Sequence, residues 1–212
     1  MVKDISSWPE DGETDIKPDL AIYPTDAASK AIYERDIDKT KIQDEARVPH
    51  AARAAWALMI SVGEVKNCDA AAGFHFETDE LLNESGPGQL ARAQHAKYAN
   101  EILYRQHRLH LFTFYISGCW ARAFYWDRNG CALTNAVNLV ENPLPFQTFL
   151  YRLAHGSDED RGFDPTVKLA EESEIEAWRS YRTNNRYLQQ YRNEALRDTR
   201  KYPVCKVCSP FY

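Results

Sequence analysis

The chain has 212 residues, of which 44% are hydrophobic and 27% are charged, and its formal net charge is −5. This is the composition of a globular domain with a sizeable core, and it excludes a strongly basic protein whose whole surface attracts nucleic acid. The five cysteines are odd in number and scattered, so we expect no disulfide framework. No apolar segment follows a basic start, so we expect no signal peptide, and the sequence has no apolar run of membrane-spanning length. We therefore expect an intracellular protein with no membrane partner, in either cytoplasm or nucleus.

The first half of the chain predicts short strands, polar connections and one long helix. Residues 1–17 are polar and rich in turn residues, so we expect a loose lead-in. Residues 25–50 are charged and contain several alanines, which fits either a helix with a loop or an insertion. The other predicted elements here are a strand at 20–23, a buried strand ending in GEVK at 63–66, a loop at 67–87 and a helix at 88–108.

The second half predicts an antiparallel meander over residues 109–137, followed by helices. Its first two strands are rich in aromatic residues, and the pair Asn129-Gly130 favours a tight hairpin turn between the second and third strands. A long charged helix at 171–200 has acidic first turns and basic last turns, which suits the helix dipole. The remaining predicted elements are strands at 109–117, 119–126 and 131–137, a helix at 143–156, a loop at 161–166 and a strand-like segment from 202.

These elements together predict an α/β (α+β) fold in which helices flank a mixed sheet. We expect one domain at 18–158, with its insertion at 25–50. Residues 159–212 would then form a linker, the long helix and the start of a further segment.

Several strings resemble the fungal-type protein kinase family, in the region N-terminal to its kinase lobe. They are GEVK, GQLARAQHAKYANEILYRQHRLHLFTFYISG, ARAFYWDRNG, FLYRLAHG and RGFDPTV. Their order and spacing match from about Trp56 to Val167. The most specific parts are Arg-x-x-x-x-Asp-Arg-x-Gly at 122–130 and Asp-Pro-Thr at 164–166.

The resemblance implies a kinase lobe farther along in longer members, where that lobe would be a partner of this region. Kinase catalysis needs a Gly-rich loop, a strand lysine, an HRD loop and a DFG site, and the sequence contains none of these motifs. We therefore expect no phosphoryl transfer from this chain. We also expect the final segment of 159–212 to be the truncated start of a kinase-lobe-like region.

A broader pattern runs through the same region. Pro18-Asp19 precedes one strand and Glu64-Val65-Lys66 ends the next, and a helix carrying Gln94-x-x-x-Tyr98 follows before another strand. This order is similar to the PD-(D/E)xK nuclease-like superfamily, whose RecB-like branch has the Gln-x-x-x-Tyr element. The resemblance implies a nuclease-like core.

The chemistry of that pattern is hydrolysis of phosphodiesters. Magnesium prefers oxygen ligands, so Asp19, Glu64 and the Val65 carbonyl are the candidate metal ligands. Lys66 would lie against the attacking water or the transition-state oxygen. Gln94 and Tyr98, one helical turn apart, would support the site or contact a phosphate.

Each of these features has a plainer interpretation. Asp19, Glu64 and Lys66 also fit exposed strand ends with a surface ion pair, which contributes roughly 0–1 kcal/mol. Gln94 and Tyr98 also fit a hydrogen-bonded packing pair. The sequence thus leaves two hypotheses open: a non-catalytic interaction or regulatory module with a degenerate nuclease-like core, and a magnesium-dependent nuclease.

A cluster of cations on and after the helix at 88–108 is a candidate nucleic-acid surface. Arg92, Lys97, Arg105 and Arg108 would form a locally basic face, which either meets phosphates or is simply solvated. His95 belongs to the same helix, and we expect it to be at the surface or partly packed.

Overall fold

A computed structural model of the chain describes residues 1–10, 16–67, 71–199 and 203–208. Its centre is a mixed sheet of seven strands, and a separate sheet of two strands lies near the C-terminus. The expected α/β class, with helices flanking a mixed sheet, is confirmed. The strands are β1 (Val2–Asp4), β2 (Leu20–Ile22), β3 (Ser61–Lys66), β4 (Leu111–Ser117), β5 (Trp120–Asp127), β6 (Gly130–Leu133), β7 (Val137–Asn138), β8 (Val167–Leu169) and β9 (Cys205–Val207).

The helices vary from single turns to five turns in length. Within the described ranges, none is both long enough and apolar enough to cross a bilayer. The α-helices are α1 (Ala27–Tyr33), α2 (Gly86–Arg105), α3 (Leu144–His155), α4 (Glu172–Ser180) and α5 (Arg186–Ala195), and short 3-10 helices cover Lys39–Lys41, Glu45–His50 and Trp56–Leu58.

The order of strands in the large sheet is β1-β2-β3-β4-β5-β6, and β7 pairs with the other part of β5. All neighbours are antiparallel except β3 and β4, which are parallel. Parallel neighbours need a crossover connection, and α2 supplies it. The strand–strand–helix–strand order expected around the candidate site is therefore present as β2, β3, α2 and β4.

The two faces of the sheet bury different sets of side chains because side chains alternate along each strand. Tyr115 and Phe124 lie on the face that α2 covers, where both rings contact the ring of His95. Phe114 lies on the opposite face and packs edge-on against Phe146 of α3, with ring centroids 5.9 Å apart. The sheet is thus the middle layer of the domain.

The predicted meander forms β4, β5 and β6. β4 and β5 pair from Leu111↔Trp126 to Ser117↔Trp120. In the turn between β5 and β6, the Asp127 carboxylate accepts hydrogen bonds from the backbone N–H groups of Asn129 at 2.7 Å and Gly130 at 3.2 Å. This is the turn chemistry that the Asp-Arg-Asn-Gly string predicts.

The prediction of a loose lead-in at residues 1–17 is wrong for its first part. β1 pairs antiparallel with β2, from Val2↔Ile22 to Asp4↔Leu20, and Ile5 is fully buried. A strand of three residues is too short to show a clear alternation in the sequence. It forms because it pairs with β2, which is distant in the chain. Residues 11–15 of the lead-in lie outside the described residues.

The prediction of one long helix at 171–200 is also wrong. α4 ends at Ser180, and α5 begins at Arg186. The start of α5 is fixed by the Asn185 side chain, which caps the helix by accepting the N–H groups of Tyr187 and Leu188. Residue 200 lies outside the described part of the chain. Farther on, β9 pairs antiparallel with β8, so the strand-like segment at the end does contain a strand.

Residues 25–50 contain α1 and two of the 3-10 helices. The Asp26 side chain caps α1 by accepting the N–H of Ser29 at 2.8 Å. Tyr33 at the end of α1 stacks on Tyr23, with ring centroids 4.5 Å apart, and both rings are fully buried. This segment is therefore packed against the domain.

Candidate functional site

Asp19 and Glu64 are neighbours because of the register between β2 and β3. Leu20 is paired with Gly63, so the next pair toward the end of β3 is Asp19 and Glu64. The Asp19 carboxylate accepts the backbone N–H of Val65 through Oδ2 at 2.8 Å. The two acidic residues predicted from the sequence thus lie together at one end of the sheet.

Glu64 and Lys66 project from the same face of β3, as their spacing of two residues predicts. The Lys66 ammonium forms an ion pair with Oε1 of Glu64. The Glu64 side chain is only 2% exposed, whereas that of Lys66 is 24% exposed. The alternative of an exposed surface ion pair is therefore wrong for Glu64, and the carboxylate belongs to the interior.

The second carboxylate oxygen of Glu64, the buried Oε2, accepts no hydrogen bond of normal geometry from the residues that the structure describes. Burial raises the pKa of Glu64, and the nearby Asp19 carboxylate acts in the same direction, while Lys66 and the Tyr98 hydroxyl oppose both. A buried, unpartnered carboxylate oxygen is costly unless another positive group satisfies it.

Gln94 and Tyr98 of α2 join this cluster through hydrogen bonds. The Gln94 side-chain amide donates to the Tyr98 hydroxyl at 2.5 Å, and that hydroxyl donates to the carbonyl of Lys17 at 2.8 Å. Burial raises the pKa of Tyr98, and so does the Glu64 carboxylate nearby. The structure thus places Gln94 and Tyr98 beside the acidic pair and fixes α2 to the segment that enters β2.

The donor set fits a hard divalent cation that keeps part of its water shell. Asp19 and Glu64 offer two carboxylates, and the buried Oε2 of Glu64 has no hydrogen bond within the described residues. Within the described residues, no group of three or more His, Cys, Asp or Glu side chains is arranged to hold a metal ion. Magnesium is commonly bound by one or two carboxylates with several waters, so two carboxylates are sufficient for it.

The predicted basic face on α2 does not form, and two of its arginines show why. The buried Arg105 guanidinium is paired with the carboxylates of Glu10 and Glu101. Arg92 donates to the carbonyl of Gly73 at 2.9 Å and pairs with Glu84 at 3.3 Å. Both guanidinium groups are used within the chain and are not presented to a phosphate backbone.

Arg108 is also internal, which leaves only Lys97 of the four cations exposed. The Arg108 guanidinium donates to the carbonyls of Met59 at 2.9 Å and Ile60 at 3.2 Å, and to the side-chain oxygen of Gln106. Burial lowers its pKa to about 9. The prediction of a nucleic-acid surface at Arg92, Lys97, Arg105 and Arg108 is therefore wrong.

His95 is fully buried, so the expectation that it lies at the surface or is only partly packed is wrong. Its Nε2 lies 2.9 Å from Oγ1 of Thr113, and its ring contacts Phe124 with centroids 4.8 Å apart. Burial lowers its pKa to about 3. The signal in the sequence was its spacing from Tyr98 and Ile102, which are buried on the same side of α2.

Comparison with known proteins identifies the family of the second part of the chain. Residues 78–198 match the model of the family described as fungal protein kinase. No curated protein and no solved structure is significantly similar to the chain. The match includes Gln94 and Tyr98 and begins after Asp19, Glu64 and Lys66. The matched region spans more than half of the chain. The protein therefore belongs to the fungal protein kinase family, as the sequence resemblance predicted.

Proposed function

We propose that Asp19, Glu64 and Lys66 form a divalent-cation-dependent site that hydrolyses phosphodiesters. The observation that carries this proposal is the buried Glu64 carboxylate, whose Oε2 has no hydrogen bond within the described residues and which lies beside Asp19 and Lys66. A fold retains such a costly arrangement most readily where it serves a function.

Each residue has a separate role in this proposal. Asp19 and Glu64 hold Mg²⁺, with the carbonyl of Val65 as the predicted third protein ligand. The bound ion supplies a water of lowered pKa and offsets the charge that develops on the phosphate. Lys66 keeps Glu64 ionised and donates to a phosphoryl oxygen from its partly exposed position. Tyr98 positions the site by fixing α2 to Lys17.

A second candidate function is a non-catalytic interaction or regulatory module of a kinase-family protein. The observation that favours it is the closed Glu64–Lys66 ion pair, because a carboxylate with 2% exposure has limited access to substrate. The absence of HRD and DFG motifs from the sequence agrees with a role other than phosphoryl transfer. In this alternative the ion pair only maintains the end of β3.

The deciding experiment measures cleavage of labelled single-stranded and duplex DNA and RNA with Mg²⁺ and with EDTA. Glu64→Gln, Asp19→Asn and Lys66→Met each remove one proposed role with little change in shape. Glu80→Gln is the matched control, because Glu80 is an exposed carboxylate in the loop before α2.

We expect magnesium-dependent cleavage that falls at least 100-fold in each of the three site variants and is unchanged in Glu80→Gln. Magnesium should also raise the melting temperature of the wild type and not that of Glu64→Gln. Cleavage that persists equally in all variants would identify a contaminant and reject the proposal. A folded wild type with neither cleavage nor a magnesium response would support the non-catalytic module instead.

A further inference from the structure

The pair of helices α4 and α5 carries a set of large aromatic side chains that the fold does not bury. Trp178, Tyr181, Tyr187 and Tyr191 are between 54% and 73% exposed. Aromatic side chains of this size are normally among the main contributors to a core or an interface. Four of them exposed within 14 residues therefore indicate a binding surface.

The arrangement of these helices is fixed by polar contacts. The buried Arg192 guanidinium of α5 donates to the carbonyl of Tyr181, just after α4, and to the side chain of Asn193 at 2.9 Å. The Asn185 cap fixes where α5 starts. These contacts frame a cleft of about 310 Å³ whose walls include Trp178 and Tyr191. The aromatic surface is thus held in place rather than being part of a loose tail.

The segment from the start of α4 to the end of α5 has four glutamates and four arginines, so its charges balance, but the two signs are unevenly placed along it. Residues 177–193 contain four arginines and no acidic residue, although the chain has a net charge of −5. Arg179 is paired with Glu172 and Glu176 of α4, and Arg192 is buried. Arg182 and Arg186 are exposed, and neither forms an ion pair with any residue that the structure describes. These two exposed guanidinium groups, adjacent in sequence to Tyr181 and Tyr187, thus have no carboxylate partner within the described part of the chain.

We propose that the α4–α5 surface binds single-stranded nucleic acid. Unpaired bases offer faces that stack on tyrosine and tryptophan, whereas the bases of a duplex are already stacked on each other. Arg182 and Arg186 would contact the phosphates between the stacked bases. An apolar protein partner would use the aromatic rings and would leave these two charges without a counterpart. This inference goes beyond the proposed hydrolysis and does not depend on it.

Fluorescence anisotropy with the full chain in EDTA tests this inference without interference from cleavage. The probes are labelled oligothymidine and oligouridine of 15 nucleotides, with a duplex of equal length for comparison. We expect the single strands to bind more tightly than the duplex. With two phosphate contacts, a log–log plot of binding constant against salt should have a slope of about −1.4.

The variants separate stacking from charge. Tyr187→Ala and Tyr191→Ala should weaken binding roughly 5-fold or more with the salt slope unchanged, because each removes a stacking ring. Arg182→Ala and Arg186→Ala should each reduce the slope by about 0.7. Tyr104→Ala, which removes a ring 77% exposed on α2, and Lys39→Ala, which removes an exposed cation elsewhere, should change neither property.

Three results would overturn the inference. The first is no binding of either single strand at low salt. The second is binding that the tyrosine and arginine variants leave unchanged, since the contact would then lie elsewhere. The third is a loss of self-association in Tyr187→Ala and Tyr191→Ala by sedimentation velocity, with no effect on oligonucleotides, which would make the surface a contact between copies of the chain. Since no divalent cation is present, failure of this experiment says nothing about hydrolysis, and failure of hydrolysis says nothing about binding.

Discussion

The imidazole Nε2 of His95 lies 2.9 Å from the hydroxyl oxygen of Thr113, and both residues are fully buried. The indole N–H of Trp126 donates to the same oxygen at 2.8 Å. Because an indole can only donate, the hydroxyl accepts from Trp126. Burial lowers the pKa of His95 to about 3, so the ring is neutral in the folded protein.

This neutral ring predicts a loss of stability in mild acid. Burial lowers the folded-state pKa of His95 to about 3, below its unfolded value of 6.5. The unfolded state therefore binds more protons between these values, so the contribution of His95 to stability is full above pH 6.5 and falls as the pH is lowered. Between pH 6.5 and 4.5, the unfolding free energy of the wild type should fall by up to about 1.4 kcal/mol per pH unit more than that of His95→Gln.

Urea denaturation at several pH values measures this difference. The exposed His155 provides the matched control, and His155→Gln should keep the acid dependence of the wild type. Parallel curves for the wild type and His95→Gln would contradict a neutral buried His95.

The buried Glu64 carboxylate should lower the stability of the folded protein when it is ionised, although the proposed function needs it. Its folded-state pKa is raised by burial above the ordinary value of 4.5, so the folded state binds more protons as the pH rises through and beyond 4.5. The ionised carboxylate therefore lowers stability at neutral and alkaline pH. In EDTA, Glu64→Gln should be more stable than the wild type at pH 8, and this advantage should shrink toward pH 4.5.

The measurement is the urea midpoint of both proteins at pH 8 and pH 4.5. Glu80→Gln should show no such difference, because Glu80 is exposed in both folded and unfolded chains. A Glu64→Gln protein that is less stable at pH 8 would mean that the ion pair with Lys66 outweighs the cost of burial.

Substitution of Arg108, which has no proposed role in catalysis, should strongly reduce the stability of the fold. Its guanidinium donates to the carbonyls of Met59 and Arg161, and it lies over the ring of Phe163 at 3.9 Å. Arg108→Met leaves buried carbonyls without donors, and we expect a destabilisation of about 3 kcal/mol. Arg108→Lys should be only slightly better, because an ammonium cannot reproduce the planar fork of donors.

The matched control is Arg128→Met, since Arg128 is exposed in the turn after β5. Its unfolding free energy should stay within about 0.5 kcal/mol of the wild type. Equal effects of the two methionine substitutions in urea denaturation would argue against the buried network.

Gly63 predicts a steric requirement beside the candidate site. A Cβ at Gly63 would overlap the ring of Phe114 on the neighbouring strand β4, and that ring is buried. Gly63→Ala should therefore destabilise the protein by about 1–3 kcal/mol and disturb the position of Glu64. Gly86→Ala, at a helical position where a Cβ meets nothing within 4 Å, should be neutral or slightly stabilising.

The double variant Gly63→Ala with Phe114→Leu refines this test. If overlap with the ring is the cause, the double variant should be more stable than the sum of the two single changes predicts. Additive effects in thermal or urea denaturation would instead mean that backbone conformation at Gly63 matters and the ring does not.

The elements that local signals specify were predictable from the sequence. The meander from β4 to β6 is marked by alternating aromatic residues and by Asn129-Gly130, and α2 is marked by a long stretch without interruption by proline. The break between α4 and α5 is hard to predict because the charged residues around it are typical of a continuous helix. Asn185, a good capping residue, was the available signal.

The site was predictable to the extent that strand adjacency determines it. Asp19 and Glu64 come together because their strands are neighbours, which the order of motifs indicates. The partners of the α2 cations were not predictable, since Glu10, which pairs with Arg105, is 95 residues away in the chain. Whether a helix face is basic depends on what the rest of the fold places against it.

The parallel pairing of β3 with β4 also affects how the part of the chain that matches the family, residues 78–198, can be produced on its own. The family match begins at residue 78, whereas β3 ends at Lys66. A polypeptide that starts at residue 78 would therefore leave the part of β4 that pairs with β3, from Phe114 to Ser117, as a bare sheet edge and would uncover the buried side of α2. Exposed edges of this kind promote aggregation. Recombinant polypeptides should accordingly include β1, β2 and β3, so that these strands cover the edge of β4.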